Sequence, residues 1–371
     1  MWRIDPSHLP VSIRFIYVIY SRILQMICLS LTVPMAIHIP SMLQTNTTAA
    51  IDITSKLLYC VLLFAKVVSY PYISEELLPQ ALCFERTLYS EGDSVALAIY
   101  AKHVRYCHGL SNFFYTSTIF TGTAFCGFGI FNSYQFHRLH ESANVTLKKP
   151  LPLMQWYPFD ENRYHVWALA QQVVSITVCA MYVISVQIFS NCTMLFLRSQ
   201  LKVLQTYFRR FDEHSCETGP LAEGLKSLGI KHQNLIRYIN RVNEAFKATV
   251  FLEYAVISVI LGLVLLQVIA GMDASLNGTF MFVVSSQLLL LAWTADEIVV
   301  QSMKLATALF ESNWYVHDTE LVGSIKFMIA RCQKPLSIDI GPFGRMSILS
   351  AMSRLKLAYS YSSVMVQKIR R

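Results

Sequence analysis

Long runs of apolar residues recur along this chain, and their length is the first clue to its fold. A helix needs about 20 consecutive apolar residues to cross the hydrocarbon core of a bilayer. Six stretches reach that length and are far too long for buried strands: 13–39, 55–73, 111–133, 164–192, 249–272 and 279–299. The pattern therefore predicts six membrane-spanning helices.

A seventh apolar stretch, 343–367, differs from the others because it carries Arg345, Arg354 and Lys356. A charge at the centre of a bilayer costs roughly 2.5 to 3.5 kcal/mol on insertion scales. A lipid-facing helix would not carry several such charges, so this helix should face protein or water. We interpret it as a seventh span and a candidate pore helix.

Composition supports an all-α membrane protein rather than a soluble domain. Hydrophobic residues make up 54% of the 371 positions and charged residues only 15%, and the mean hydropathy is +0.42. Such values are typical of polytopic membrane proteins. The first span is too long for a cleavable signal peptide. Without an internal repeat or composition break, residues 1–371 are predicted to form one domain.

Seven spans place the two termini on opposite sides of the membrane. More than half of the 31 Lys and Arg residues fall on the inner side if the N-terminus is cytoplasmic, which favours that orientation and an extracellular C-terminus. Three N-x-[ST] sequons, at Asn46, Asn144 and Asn277, then lie in outer loops, where glycosylation occurs. None of the nine cysteines falls in an outer loop, so no disulfide is expected.

Two kinds of connection between the spans stand out. Residues 134–163 form a long, proline-containing outer loop, and loops of that length are usually functional or act as lids. Residues 194–247 and 301–340 show apolar positions near helical period, which indicates cytoplasmic helical extensions of the spans. These extensions must bury their apolar faces, either within one subunit or against another one in an assembly.

Motifs for catalysis are lacking in the sequence. The ten histidines show no H-E-x-x-H or comparable metal-ligand spacing, and neither G-x-S-x-G nor a P-loop occurs. We therefore predict that the chain is not an enzyme. We also predict that it binds no cofactor, no metal and no nucleic acid.

Four short motifs carry a resemblance to a known family. They are LMQWYPFD at 153–160, ESNWY at 311–315, RCQKPL at 331–336 and YSYSSVMVQ at 359–367. With the predicted topology, they make the whole chain similar to the insect odorant receptors. The resemblance implies a ligand-gated, non-selective cation channel, a tetramer that includes the shared co-receptor, and cytoplasmic helices that form an anchor domain. The chain would be a tuning subunit in the plasma membrane of olfactory neuron dendrites.

The resemblance also implies roles for two residues near the C-terminus. In the family the last helix lines the pore, and a Val followed three residues later by a Gln marks its narrow outer region, a spacing that Val364 and Gln367 match. An aliphatic ring can gate by dewetting, and an amide can replace part of an ion's hydration shell. Alternatively, Val364 packs against a neighbouring helix.

A small volatile organic ligand requires a mostly apolar, aromatic pocket with a few polar groups. The family uses the outer halves of spans two, three, four and six for this purpose. The residues of this chain at that depth are Tyr59, Leu62, Leu63, Phe125, Phe128, Gly129, Asn132, Gln171, Val174, Val178, Phe282, Ser286 and Gln287. Phe125, Phe128 and Asn132 share one helix face. The alternative is that these aromatic residues face lipid or pack in the core.

Ionisable residues inside the spans allow two interpretations. Lys66, Glu253, Asp296 and Glu297 either snorkel or form ion pairs within the bundle, or they act as a relay. Two other protein classes also remain open. A G-protein-coupled receptor would need the reverse topology and its D-R-Y and N-P-x-x-Y motifs, which do not occur here. A secondary transporter would usually show internal repeats.

Overall fold

The computed structural model describes residues 11–140, 149–211, 221–271 and 274–369. Within these ranges the chain forms eight α-helices and two short 3-10 helices. The α-helices are α1 (Val11–Thr45), α2 (Thr47–Glu91), α3 (Ser94–His140), α4 (His165–Arg209), α5 (Leu221–Ile269), α6 (Ala274–Phe310), α7 (Thr319–Cys332) and α8 (Ile348–Ile369). The predicted all-α fold is confirmed.

Seven of these helices are long, and only the 14-residue α7 is short. By length and apolar composition alone, four segments of the described chain are able to cross a membrane: Val18–Thr45, His165–Arg209, Leu221–Ile269 and Ala274–Val316. The long helices α2, α3 and α8 contain more polar residues. Such helices reach the bilayer interior when they face protein or water rather than lipid.

Helices α4 and α5 continue well beyond the lengths that a bilayer needs. Their extensions pack against each other and against α6 and α7, with Leu201, Phe208 and Ile239 fully buried between them. His232 lies in the same core, with its Nδ1 3.9 Å from Cys332 Sγ. Burial, aided by the nearby Arg331, lowers the pKa of His232 to about 4, so this imidazole is neutral at pH 7. The buried residues of the extensions belong to the same continuous apolar core as the rest of the bundle.

The last helix begins later than the sequence pattern predicted. It starts at Ile348 rather than at position 343, because a tight hairpin precedes it. In this hairpin the Met346 N–H donates to the carbonyl of Ile338 over 2.7 Å. Gly344 has a φ of +86°, which no helix accommodates. Arg345 therefore lies exposed in the turn and is not part of the pore-helix candidate.

One face of α8 packs closely against α5 through small residues. The hydroxyl of Ser362 donates to the carbonyl of Gly262 over 2.7 Å, and a Cβ atom at position 262 would lie 3.6 Å from the carbonyl oxygen of Ala358. Small residues at a helix crossing let two backbones approach each other. The two helices α5 and α8 are therefore joined by a close crossing and a hydrogen bond.

Candidate ligand cavity and last helix

A proline in α1 creates a polar anchor for α4. Because Pro34 has no N–H, the carbonyl of Ser30 one turn earlier lacks its usual helical partner. The side chain of Gln171 on α4 fills this position, since its Nε2 donates to the Ser30 carbonyl over 3.2 Å and to the Ser30 hydroxyl over 3.1 Å. These bonds hold α1 against the N-terminal part of α4.

The residues that precede α4 form a cover over this part of the bundle, which we call the 149–164 loop. Gln172 binds the backbone of Leu153 at both its N–H (3.0 Å) and its carbonyl (2.8 Å). Gln171 accepts from the Gln155 amide and from the Tyr157 hydroxyl, each over 2.9 Å. Leu153 is thereby fixed with its side chain buried.

The loop also touches α3 at a position where only glycine fits. A Cβ atom built on Gly129 would lie 2.9 Å from the Cα of Pro152, which is closer than real side chains come. The sequence analysis placed Gly129 in the ligand pocket, but its function in the structure is to let the 149–164 loop approach the helix.

Beneath the loop lies a cavity of about 120 Å³ between α1, α2, α3, α4 and α6. Its walls are mostly apolar and aromatic, and Leu153 of the loop closes it on one side. Tyr59 and Phe125 each meet Phe280 edge to face, with ring centroids 5.3 and 6.2 Å apart. The remaining wall includes Leu63, Thr118, Thr121 and Cys179. This composition is typical of sites for small organic ligands.

One charged residue reaches the cavity wall, and its charge is neutralised. The Nζ of Lys56 lies 2.6 Å from the carboxylate of Asp52 on the same helix and 5.5 Å from the centre of the Phe125 ring. Among the residues that the structure describes around the cavity, none offers an unpaired charge. The site is therefore suited to a neutral ligand.

A chain of buried polar groups begins at the cavity wall. The Tyr59 hydroxyl donates to Gln287 over 3.2 Å, and Gln187 donates to both Gln287 (3.4 Å) and Glu253 (3.3 Å). The carboxylate of Glu253 pairs with the Nζ of Lys66 over 2.6 Å. The ion-pair interpretation of these two charges is confirmed. The network joins the cavity to α5, which carries the last helix.

The face of α8 opposite to α5 is exposed and mixed in polarity. It presents Leu349, Ser353, Lys356, Ser360 and Val364, which recur every three or four residues. A lipid-facing helix would not place Lys356 in the middle of such a stripe. The stripe is therefore suited to water or to a further subunit. The side chain of Gln367 lies outside the part of the chain that the structure describes.

Comparison with known proteins decides the family. The family model described as "7tm Odorant receptor" matches residues 46–359. The chain belongs to the odorant receptor family. Odorant receptor Or2 of Anopheles gambiae is 25% identical to it over 212 residues, which are 54% of this chain and 56% of the relative. Odorant receptor 30a of Drosophila melanogaster is 26% identical over 219 residues, which are 58% of this chain and 57% of the relative.

These alignments span little more than half of each curated relative, whereas the structural likeness covers nearly the whole receptor. The olfactory receptor OR5 of Machilis hrabei in complex with eugenol superimposes with a TM-score of 0.78. The match covers 98% of this chain and 92% of that one at 15% sequence identity. At this identity the likeness shows the fold, a seven-helix bundle. Family membership places the chain among membrane receptors rather than enzymes.

Five of the thirteen predicted ligand-binding residues line the cavity or the polar network below it. Tyr59, Leu63 and Phe125 border the cavity itself, and Leu62 and Gln287 border the smaller space around Glu253. Spans two, three, four and six, which the sequence analysis named, all contribute residues to the cavity wall; that these residues bind a ligand stays a prediction.

The structure places the other predicted residues elsewhere. Phe282 and Val174 point outwards and are 62% and 51% exposed, so we exclude them from the site. Gln171 and Gly129 hold the 149–164 loop. The remaining four are half-buried but do not border the cavity: Phe128, Asn132, Val178 and Ser286.

Sequence analysis missed the inner part of the α3 wall. Thr118 and Thr121 lie seven and four residues before Phe125 and so share its face, and both border the cavity. The same helical spacing would have found them. The predicted residues instead followed Phe125 towards the C-terminal end of α3, where the 149–164 loop occupies the space next to Gly129.

The three sequons differ in their surroundings. Asn46 is exposed and caps α2, with its Oδ1 accepting from the Ala49 N–H over 3.1 Å. Asn144 lies outside the described residues. Asn277 is only 3% exposed within α6, so the folded receptor has no room for a bulky glycan on its amide. We therefore retain Asn46 and exclude Asn277.

Proposed function

We propose that this receptor is the odorant-binding subunit of a ligand-gated, non-selective cation channel. It would assemble with the co-receptor of the family, in a tetramer, in the plasma membrane of olfactory neuron dendrites. Its N-terminus would be cytoplasmic and its C-terminus extracellular, with Asn46 available for glycosylation. The observation that carries the proposal is the apolar cavity under the 149–164 loop, which is connected through buried polar groups to the helix that supports α8.

The ligand in this proposal is a small volatile organic compound. The related OR5 structure contains eugenol, a small aromatic molecule, and the cavity of the present receptor is of the same aromatic character. Burial of apolar ligand surface provides about 25 cal/mol per Å², so a small odorant gains most of its affinity from contact with Tyr59, Phe125 and Phe280.

The pore in this proposal is formed by the exposed stripe of α8, brought together from several subunits. Val364 residues from the several subunits would form a hydrophobic gate, and Gln367 residues would form a polar ring beyond it. Permeant cations would pass through both rings. Rings of aliphatic side chains close pores by excluding water. In the single chain, 56% of Val364 is exposed, so packing within this subunit leaves it free for that role.

Val364→Ser is expected to raise the current in the absence of ligand, because a hydroxyl allows water into the closed gate. The rank order of ligands should stay unchanged. Whole-cell recordings with the co-receptor measure both quantities. Met365→Ser is the matched control, since Met365 is also exposed but lies about 100° further round the helix. Altered ligand ranking with unchanged basal current would contradict the assignment.

Phe125→Ala is expected to shift the ligand preference towards larger compounds, because the substitution removes one cavity wall and leaves open space. The reversal potential should not change. Dose–response curves for a size series of odorants provide the measurement. Phe282→Ala is the control, because the same side chain is lost on the outer surface. An equal shift in both variants would remove Phe125 from the site.

The proposal as a whole is tested by filling the cavity. Ala180 borders the cavity opposite to Gly122, and Ala180→Leu places additional carbon atoms in its space. Cells that express the receptor and the co-receptor should show odorant-evoked cation currents. The variant should reach the cell surface but lose these currents. Full odorant responses in Ala180→Leu would show that the ligand binds elsewhere.

A further inference from the structure

The hydroxyl of Thr118 is an unused polar group in the cavity wall. Thr118 is 7% exposed and borders the cavity, and its Oγ1 has no hydrogen-bond partner among the residues that the structure describes. A buried hydroxyl without a partner destabilises a protein by about 1 to 3 kcal/mol. Such a group is expected where a ligand supplies the missing bond.

Other threonines of the same helix show that this is an exception. Thr116, Thr121 and Thr123 each donate to the carbonyl four residues earlier, over 2.9, 3.0 and 2.9 Å. Such back-bonding is the usual way in which a helix satisfies a threonine. Thr121 borders the same cavity one turn away from Thr118, so the difference does not arise from burial.

The other hydroxyl and amine groups of the described wall already have partners. The Tyr59 hydroxyl donates to Gln287 over 3.2 Å, and Lys56 is paired with Asp52. Thr118 is thus the hydroxyl of this wall that remains available as a donor. It lies on the face of α3 that also carries Phe125, so a ligand held by Thr118 would touch the aromatic side of the cavity.

We infer that Thr118 is the hydrogen-bond anchor for a small, neutral carbonyl compound, a ketone or an aldehyde, that binds in this cavity. The inference rests on the proposed function. The ligand is neutral because the wall carries no unpaired charge. It carries an oxygen acceptor because Thr118 offers an unused O–H, and the rest of it is hydrocarbon because the remaining wall is apolar or aromatic.

The volume of the cavity limits the size of the ligand. An engineered apolar cavity of about 150 Å³ in another protein holds a benzene molecule, and the present cavity measures about 120 Å³. Because the cavity is partly open, a short substituent on such a ring extends beyond its walls. The expected class is therefore a ketone or aldehyde with a single ring, or a short-chain equivalent of the same size.

Matched pairs of probes separate the hydrogen bond from shape. We would compare acetophenone with isopropylbenzene, cyclohexanone with methylenecyclohexane, and 2-heptanone with 2-methyl-1-heptene, and continue with the most potent pair. The two members of each pair differ only at the carbonyl oxygen. In the hydrocarbon this oxygen is replaced by CH₂ (the two alkenes) or by a methyl group and a hydrogen atom (isopropylbenzene). Currents from the receptor with the co-receptor give the half-maximal concentrations.

Thr118→Val removes the hydroxyl and keeps the shape. It should raise the half-maximal concentration for the ketone about three- to tenfold, as expected for one neutral hydrogen bond, and leave that for the hydrocarbon unchanged. Thr118→Ser keeps a hydroxyl at this position and should retain the preference for the ketone. Thr121→Val is the matched control and should change neither value, because its hydroxyl is bonded within α3. Surface expression should be normal in all three variants.

The outcomes distinguish this inference from the proposed function. Equal shifts for ketone and hydrocarbon in Thr118→Val, or no shift for either, would overturn the role of Thr118, while loss of responses in Ala180→Leu would still support the cavity. If none of the three ketones activates the receptor, the ligand class is wrong. If ketone responses survive in Ala180→Leu, both the inference and the proposed cavity are overturned.

Discussion

Glu253→Gln is expected to destabilise the receptor strongly. The substitution keeps the shape of the side chain but leaves the ammonium of Lys66 buried without its counter-charge, since 5% of the Lys66 side chain and 1% of the Glu253 side chain are exposed. Removal of one partner of a buried ion pair costs about 3 to 5 kcal/mol. Size-exclusion profiles of heated, detergent-solubilised receptor should show a clearly lower midpoint of unfolding.

A second substitution and an exposed pair provide the controls. Lys66→Met in addition to Glu253→Gln removes the unpaired charge and should recover most of the lost stability. The pair of Arg209 and Glu311 has a comparable separation of 2.8 Å but is about half exposed. Exposed pairs contribute about 0 to 1 kcal/mol, so Glu311→Gln should hardly matter. Equal losses in the two single variants would argue against a buried network.

Gly129→Ala is expected to reduce odorant sensitivity sharply. Its new methyl group would meet Pro152 at 2.9 Å from the proline Cα, and a backbone atom cannot move away without shifting the 149–164 loop. Overpacking of this kind typically costs 1 to 3 kcal/mol. Because Leu153 of that loop closes the cavity, its displacement opens the site to water. Dose–response curves should shift to higher ligand concentrations.

Gly127→Ala is a close control for this effect. Gly127 lies two residues earlier on the same helix, and a Cβ atom there meets nothing within 4 Å. Its replacement by alanine should leave sensitivity unchanged and favour the helix slightly. If both alanine variants respond to odorants like the unmodified receptor, the loop does not control access to the cavity.

The apolar runs mark where the long helices lie, because a bilayer imposes a minimum length on each span, but that all seven long helices cross a membrane stays a prediction. The same runs do not mark the start of the last helix. Residues 343–347 are compatible with a helix by apolar content, yet Gly344 adopts a positive φ and Met346 bonds back to Ile338. This hairpin depends on an isolated β-bridge between Asp339 and Arg345, which helical periodicity does not detect.

The candidate site was only partly predictable, because a membrane helix can be apolar on every side. Phe282 faces outwards and Phe280 faces the cavity, although both are aromatic residues on the same turn of α6. Polarity distinguishes inside from outside in a soluble protein but not in lipid. The pairing of charged residues was easier to predict, because Lys66 and Glu253 need partners wherever they lie inside the bundle.

A ligand in the cavity is proposed to open a pore lined by α8. The Val364→Cys variant tests this coupling through the rate at which an impermeant, positively charged thiol reagent added outside changes the current. We expect modification to block the current and to be faster when an odorant is present. The unmodified receptor controls for the native cysteines, and Met365→Cys for general access. Absence of any effect at position 364, with odorant currents intact, would contradict the account.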